Sequence, residues 1–279
     1  MEIYQKEGTY TVTFTVVILV WLLLERQAEL EDFESLIIYE DNHLLVITKP
    51  AGVLSQEDSS GDQDILTLAK EFIKKRDKKP FNVYLGLVHR LDRNTGGVMC
   101  FAKTSKAAKR LNEQIRNHSW QKHYLTMTEK TNKNDTLPID SQGWLKLEDF
   151  LDKNRELNMN LIDNKNKSKN SKNAELYTRF LAKSKFNNRE IILRENKLIT
   201  GRSHQIRVQL SSRGEKILGD YKYGASHDLN LPPFFLGLWA YKLSLEHPIK
   251  KENMTFISLP KPEGPWIEFA EYFTKLKDI

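Results

Sequence analysis

Apolar residues in this chain come in short runs, and many of those runs are closed by a turn signal. Leu44-Leu45-Val46-Ile47-Thr48 stops at Lys49-Pro50-Ala51-Gly52, and Val98-Met99-Cys100-Phe101-Ala102 follows Gly96-Gly97. Runs of this length between breakers read as strands. So do Leu36 to Tyr39, Tyr124 to Thr128, Ala174 to Phe180, Glu190 to Arg194, Phe235 to Leu245 and Met254 to Leu259. Helical spacing predicts helices over 65–75, after Thr104 or Ser105 as cap, and over 203–212, stopped by Gly214. Trp266, Phe269, Ala270 and Phe273 predict a closing amphipathic helix. Strands with irregularly interspersed helices predict an α+β fold, with a mixed, mainly antiparallel sheet core and flanking helices.

Length and composition limit the organisation. The 279 residues suffice for one sizeable domain, expected over residues 35–279. Residues 1–34 read as a peripheral extension. Within it, Val12 to Leu24 is strongly apolar, and wholly so from Val16. That stretch is shorter than the roughly 20 residues a membrane helix needs. It also lacks a basic lead and an A-x-A site, so neither a membrane span nor a signal peptide is expected. Residues 160–173, rich in Asn, Lys and Ser, read as a mobile loop. Cys100 is the only cysteine, which excludes an intramolecular disulfide and suits a reducing cytoplasm. The seven histidines are scattered, with no HExxH motif and no Cys/His cluster, so no metal site is expected. Without a GxGxxG after a strand or a Walker-type loop, a nucleotide cofactor has no support.

The net charge is +6, unevenly spread. Lys103, Lys106, Lys109, Arg110, Arg116 and Lys122 cluster with only Glu113 opposing them. On the predicted helix Ala108, Leu111 and Ile115 form an apolar face, leaving a basic one. Such a face attracts a polyanion in a salt-sensitive way, although alone it is more often an ordinary solvated face.

Three places hold residues suited to chemistry. Asp92 lies in a polar loop with Arg90 and Arg93 beside it, and a carboxylate near guanidinium groups stays ionised, as a nucleophile or base requires. Arg202 and Arg207 bracket a helix start, where free backbone N–H groups suit phosphate oxygens, and Arg207 can grip a carboxylate or phosphate by a forked contact. Tyr124 opens a strand and can stack on an extruded base. Each alone is more often structural: an ion pair, surface arginines, a core tyrosine.

Their order decides between these readings. Lys49-Pro50-Ala51-Gly52, His89-Arg90-Leu91-Asp92, Lys122-His123-Tyr124, Gly201-Arg202-Ser203-His204-Gln205-Ile206-Arg207, Ile217-Leu218-Gly219-Asp220 and His247-Pro248 follow one another as they do in RluA-type RNA pseudouridine synthases. The chain resembles that family over roughly residues 35 to 262, and the second and fourth blocks are its most specific part. The resemblance implies an isomerase that needs no metal or organic cofactor and acts on uridines of ribosomal or transfer RNA, not DNA. It places the catalytic role on Asp92, the base pocket on Tyr124 and the carboxylate's partner on Arg207. Arg90, Arg202, Lys106, Lys109 and Arg110 would then hold RNA phosphates, setting register without reading bases.

The chain departs from the family pattern at three places, one of them the strand after Tyr124, which reads Leu125-Thr126-Met127-Thr128 in place of the usual pattern with a closing glycine. Thr95-Gly96-Gly97 stands where Thr-Ser-Gly is frequent, and Trp239-Ala240 where His-Ala is common. Three rival readings remain: an RNA-binding protein without catalysis, a hydrolase that releases the base, and a membrane-tethered enzyme resting on residues 12–24.

Overall fold

The computed structural model describes residues 33–130, 140–154, 159–164, 168–227 and 229–277. The apolar stretch 12–24 lies outside these. The described chain opens with a 3-10 turn, Phe33–Leu36. Phe33 is buried against Phe72, with ring centroids 5.0 Å apart, so the packed unit reaches two residues ahead of the expected boundary.

Twelve strands of the described residues form one sheet. In chain order they are β1 (Ile37–Glu40), β2 (Leu44–Lys49), β3 (Gly86–Leu87), β4 (Gly96–Ala102), β5 (Gln121–Lys130) and β6 (Leu145–Asn154), followed by β7 (Met159–Ile162), β8 (Lys172–Phe186), β9 (Arg189–Leu198), β10 (Glu215–Ile217), β11 (Leu238–Glu246) and β12 (Asn253–Ile257). The helices are α1 (Ile65–Arg76), α2 (Ser105–Arg116), α3 (Gln205–Ser211) and α4 (Ala270–Lys277), the last entered through a 3-10 turn at Gly264–Phe269. The main order across the sheet is β1-β2-β4-β11-β5-β9-β8-β6-β7. Only β4 with β11 runs parallel; the other strand pairs are antiparallel. The α+β class and the mixed, mainly antiparallel sheet are as the sequence predicts.

The unbroken apolar runs follow from burial on both faces. Leu45, Ile47, Met99 and Phe101 pack with Ile65, Ala69 and Ile73 of α1, and this cluster extends to Tyr124 and to Ile206 and Leu210 of α3. Leu44, Val46, Val98 and Cys100 point the other way, onto Ala107 and Leu111 of α2. Period-2 alternation therefore sends both sets of side chains into a core. The termini of both helices are specified locally: Asp64 accepts from Thr67 N–H at 3.0 Å, and Thr104, not Ser105, caps α2 by accepting from Ala107 N–H at 3.1 Å.

The expectation of a mobile loop over 160–173 is corrected by the structure, apart from 165–167, which lie outside the described residues. Asn160 to Ile162 belong to β7, Asn160 is buried, and Lys172 already starts β8. The polar side chains build the turn instead of dissolving it. Asn164 accepts from Phe150 N–H at 2.7 Å and donates to Asp149 at 2.8 Å, while Ser168 donates to Asp152 at 2.9 Å. Composition marks such a segment as unable to form a core, yet these short side chains hydrogen-bond locally and fix the chain.

Two of the departures from the family pattern meet in space. Gly96 of β4 pairs with Trp239 of β11, and a Cβ at Gly96 would lie 2.2 Å from Trp239 Cζ3. The indole fills the volume a serine side chain would take, and its Nε1 donates to the Ser258 carbonyl at 2.9 Å. Gly97 has φ +120° and approaches the Ala240 backbone so closely that a Cβ would lie 2.2 Å from its carbonyl oxygen. Gly96→Ala alone is expected to cost about 1–3 kcal/mol by overpacking. In combination with Trp239→His most of that cost should disappear, which denaturant melts of the double-mutant cycle measure; additive effects would show that the two positions are uncoupled.

Candidate active site

The loop between β3 and β4 holds His89-Arg90-Leu91-Asp92, and its backbone is tied down from several sides. Ser55 Oγ donates to the Leu91 carbonyl at 2.6 Å and accepts from Leu91 N–H at 3.1 Å. The fully buried Lys49 ammonium donates to the carbonyls of Pro50, Val53 and Arg93 at 2.8, 2.7 and 3.0 Å. Gly52 N–H donates to the Arg93 carbonyl at 2.9 Å, and Thr95 N–H closes a turn on the Asp92 carbonyl at 3.0 Å. A buried charge needs such partners, and these set Asp92 on rigid backbone.

Asp92 meets Arg207 from α3, 115 residues away in sequence: Arg207 Nη1 donates to Asp92 Oδ2 at 3.0 Å. The rest of the guanidinium forks onto Asp220, with Nε and Nη2 donating at 2.8 and 2.7 Å. Asp220 is buried and Asp92 is 31% exposed, so one carboxylate anchors the arginine while the other faces an opening. Burial works against the Arg207 charge, but Asp220 and Asp92 outweigh it and hold the pKa above the ordinary arginine value. The guanidinium also lies 5.2 Å from the Tyr223 ring centroid.

A cavity of about 300 Å³ opens over Asp92. Asp92, Tyr124, Arg90, Arg202 and Arg207 line it together, with His89, Lys122 and His204. Tyr124, on β5, is buried, and burial together with the nearby Asp92 charge pushes its phenol up. Arg90 is exposed and makes no hydrogen bond or ion pair to the described residues. Arg202 is half-buried and donates through Nε to the Asn173 carbonyl at 2.9 Å. Lys122 reaches the cavity wall 5.8 Å from the Trp120 ring centroid, and burial lowers its pKa. The walls hold more cationic groups than the single Asp92 balances, which suits a polyanionic ligand.

Lys106, Lys109 and Arg110 stand apart from the cavity. Lys106 and Lys109 are exposed on α2, and Arg110 donates to the Pro248 carbonyl at 2.7 Å. α3 starts at Gln205, two residues later than the sequence suggests, with His204 as a left-handed cap at φ +53°. His204, Asp220 and Tyr223 were given no role by sequence reasoning, and Lys122 only a place in the basic cluster, although all lie within or beside the motif blocks quoted above.

His89 is packed edge-on against Trp120, 5.2 Å between centroids, and its Nε2 accepts the Cys100 N–H at 2.9 Å. Burial, helped by the Lys122 charge, pulls its pKa down to about 3 from 6.5. The unfolded chain therefore binds an extra proton between those pH values. The stability from the neutral ring is whole above pH 6.5 and is lost as pH falls toward about 3, at up to ~1.4 kcal/mol per pH unit. His89→Gln is expected to flatten the acid side of the melting-temperature profile; calorimetry showing an unchanged slope would contradict this.

Comparison with known proteins agrees with the geometry. The family model described as RNA pseudouridylate synthase matches residues 43–212. Two proteins called ribosomal large subunit pseudouridine synthase C, from Buchnera aphidicola of Baizongia pistaciae and of Acyrthosiphon pisum, are 33% and 35% identical over 80% and 67% of this chain. The chain spans 66% and 54% of their lengths. The solved structure of human RNA pseudouridylate synthase domain containing 4 superposes with a TM-score of 0.65 at 21% identity, covering 90% of this chain and 98% of that one, and so shares the fold.

Proposed function

Because this chain belongs to the RNA pseudouridylate synthase family, we propose that it isomerises particular uridines of ribosomal or transfer RNA to pseudouridine, with Asp92 as the reacting carboxylate. In that reaction the N1–C1′ bond breaks, the base turns, and a C5–C1′ bond forms. The C5 proton is released and N1 gains one, so the formula is unchanged. The supporting observation is the convergence of Asp92, Tyr124 and Arg207 on one cavity, with Arg207 bonded to Asp92 at 3.0 Å.

Each group has a task in this reading. Asp92 either attacks C1′ or removes a ribose proton. Arg207 aims the carboxylate, and Asp220 keeps Arg207 in place. The uridine must leave its stack to reach Asp92, and Tyr124 offers a ring against which the extruded base packs. Arg90, Lys122 and Arg202 supply positive charge at the rim for the flanking phosphates, with Lys106, Lys109 and Arg110 farther out along the RNA. The proposed setting is the cytoplasm, where a single buried thiol is stable.

The test is tritium release from transcripts of large-subunit ribosomal RNA and of transfer RNAs made with uridine tritiated at C5. Purified protein is expected to release tritium from one of them, with pseudouridine in the digested product. A product containing abasic sites would favour a hydrolase, and an unmodified product would favour a binding protein.

A further inference from the structure

We propose that His204, steadied by Tyr223, is a positioning residue that fixes which oxygen of Asp92 reacts, an inference that rests on the reading of Asp92 as the reacting carboxylate. A chain of polar groups runs from β7 to the site. Asn160 backbone N–H donates to the Tyr223 hydroxyl at 3.0 Å, and that hydroxyl lies 3.1 Å from His204 Nδ1. With one lone pair engaged by Asn160, the hydroxyl's own proton is free to point at Nδ1. A neutral imidazole that accepts at Nδ1 carries its proton on Nε2. That Nε2 lies 3.7 Å from Asp92 Oδ2.

Arg207 Nη1 donates to the same Oδ2. Two donors are thus directed at one carboxylate oxygen, while Oδ1 accepts no hydrogen bond among the described residues. Oδ1 is the oxygen left to meet the ribose. The His204 contact is longer than a hydrogen bond, and catalytic contacts of this kind shorten when substrate seats.

The backbone at His204 is built for this placement. It adopts the left-handed conformation, uncommon for a side-chain-bearing residue, and caps α3 without a side-chain cap bond. The ring packs edge-on against Tyr223, 5.7 Å between centroids, and the Asn160 side chain donates to the Ser203 carbonyl, one residue before His204. Burial lowers the imidazole pKa; Asp92 pulls it up, Arg207 and Lys222 push it down, and Asp220 pulls it up. The balance lies below the ordinary value, so the ring is neutral at pH 7 and the tautomer argument applies.

Single-turnover tritium release, with full-length protein and the transcript that the wild type modifies, tests this with three variants. His204→Ala is expected to slow the chemical step by about 30-fold or more, with half-saturating RNA within about threefold of wild type, because misaiming a reacting group acts on chemistry rather than binding. His204→Gln, whose side-chain amide can donate to Oδ2, should recover most of that rate. Tyr223→Phe should slow the step about tenfold, and adding His204→Ala to it should give less than the product of the two effects, since both act through one chain. The proposal is overturned if His204→Ala reacts at the wild-type rate, or if His204→Gln is no faster than the alanine variant while both melt near the wild type. A wild type that releases no tritium from any RNA would remove the pseudouridine reading itself, and this inference with it.

Discussion

Asp92→Asn is expected to lower pseudouridine formation by at least about 10⁴-fold while leaving the fold and RNA affinity in place. Asparagine has the shape of aspartate but neither attacks a sugar carbon nor removes its proton. The loop should not move, because its ties are made by Lys49, Ser55, Gly52 and Thr95 to backbone groups and not to the Asp92 carboxylate. Arg207 should not move either, since Asp220 still takes both arms of the fork. Tritium release and filter binding, measured side by side, read the two properties separately. A variant that keeps more than about a hundredth of the activity would take the reaction away from Asp92.

Arg207→Ala has a different expected signature, loss of both activity and stability. Asp220 is 1% exposed, and Arg207 is the only side chain among the described residues that donates to its carboxylate. Removing one partner of a buried pair leaves the other charge uncompensated, which costs about 3–5 kcal/mol. Arg207→Lys should not rescue activity, because an ammonium cannot fork onto Asp220 and reach Asp92 together. Adding Asp220→Asn to Arg207→Ala removes the stranded charge, so it should recover much of the stability and none of the activity. Urea melts and tritium release on the same preparations check this; a stable Arg207→Ala protein would mean that Asp220 is screened by something other than the arginine.

Much of this site could be read from the chain because its parts sit in short, dense blocks. Asp92, Tyr124 and Arg207 come from three such blocks, and the structure gathers them round one cavity. The sheet was legible for a similar reason: turn residues bound runs such as Leu44 to Thr48, whose alternation feeds two cores. The polar segment around Asn160 was not legible. Its composition matches a solvated loop, and only tertiary contacts, Asn160 to Tyr223 and Asn164 to Asp149, turn it into a strand and a fixed turn. His204 was hidden because nothing in sequence spacing shows that Tyr223, 19 residues on, returns to its ring. The basic face of α2 also shows the limit of charge counting: Arg110 is committed to the Pro248 carbonyl, and neither Lys106 nor Lys109 reaches the cavity. The coupling of Gly96 to Trp239 joins positions 143 residues apart, and it gives two isolated departures from a family pattern a single steric cause.

The most direct test of the central claim is a map of pseudouridines in cellular RNA, made by chemical labelling and primer extension. The cells would lack the gene and carry wild type, Asp92→Asn, or nothing. One or more sites are expected to disappear without the gene, return with wild type and stay absent with Asp92→Asn, which also names the RNA. If every site persists without the gene, or if Asp92→Asn restores the lost sites as fully as wild type, the assignment of this cavity and its aspartate to uridine isomerisation is contradicted.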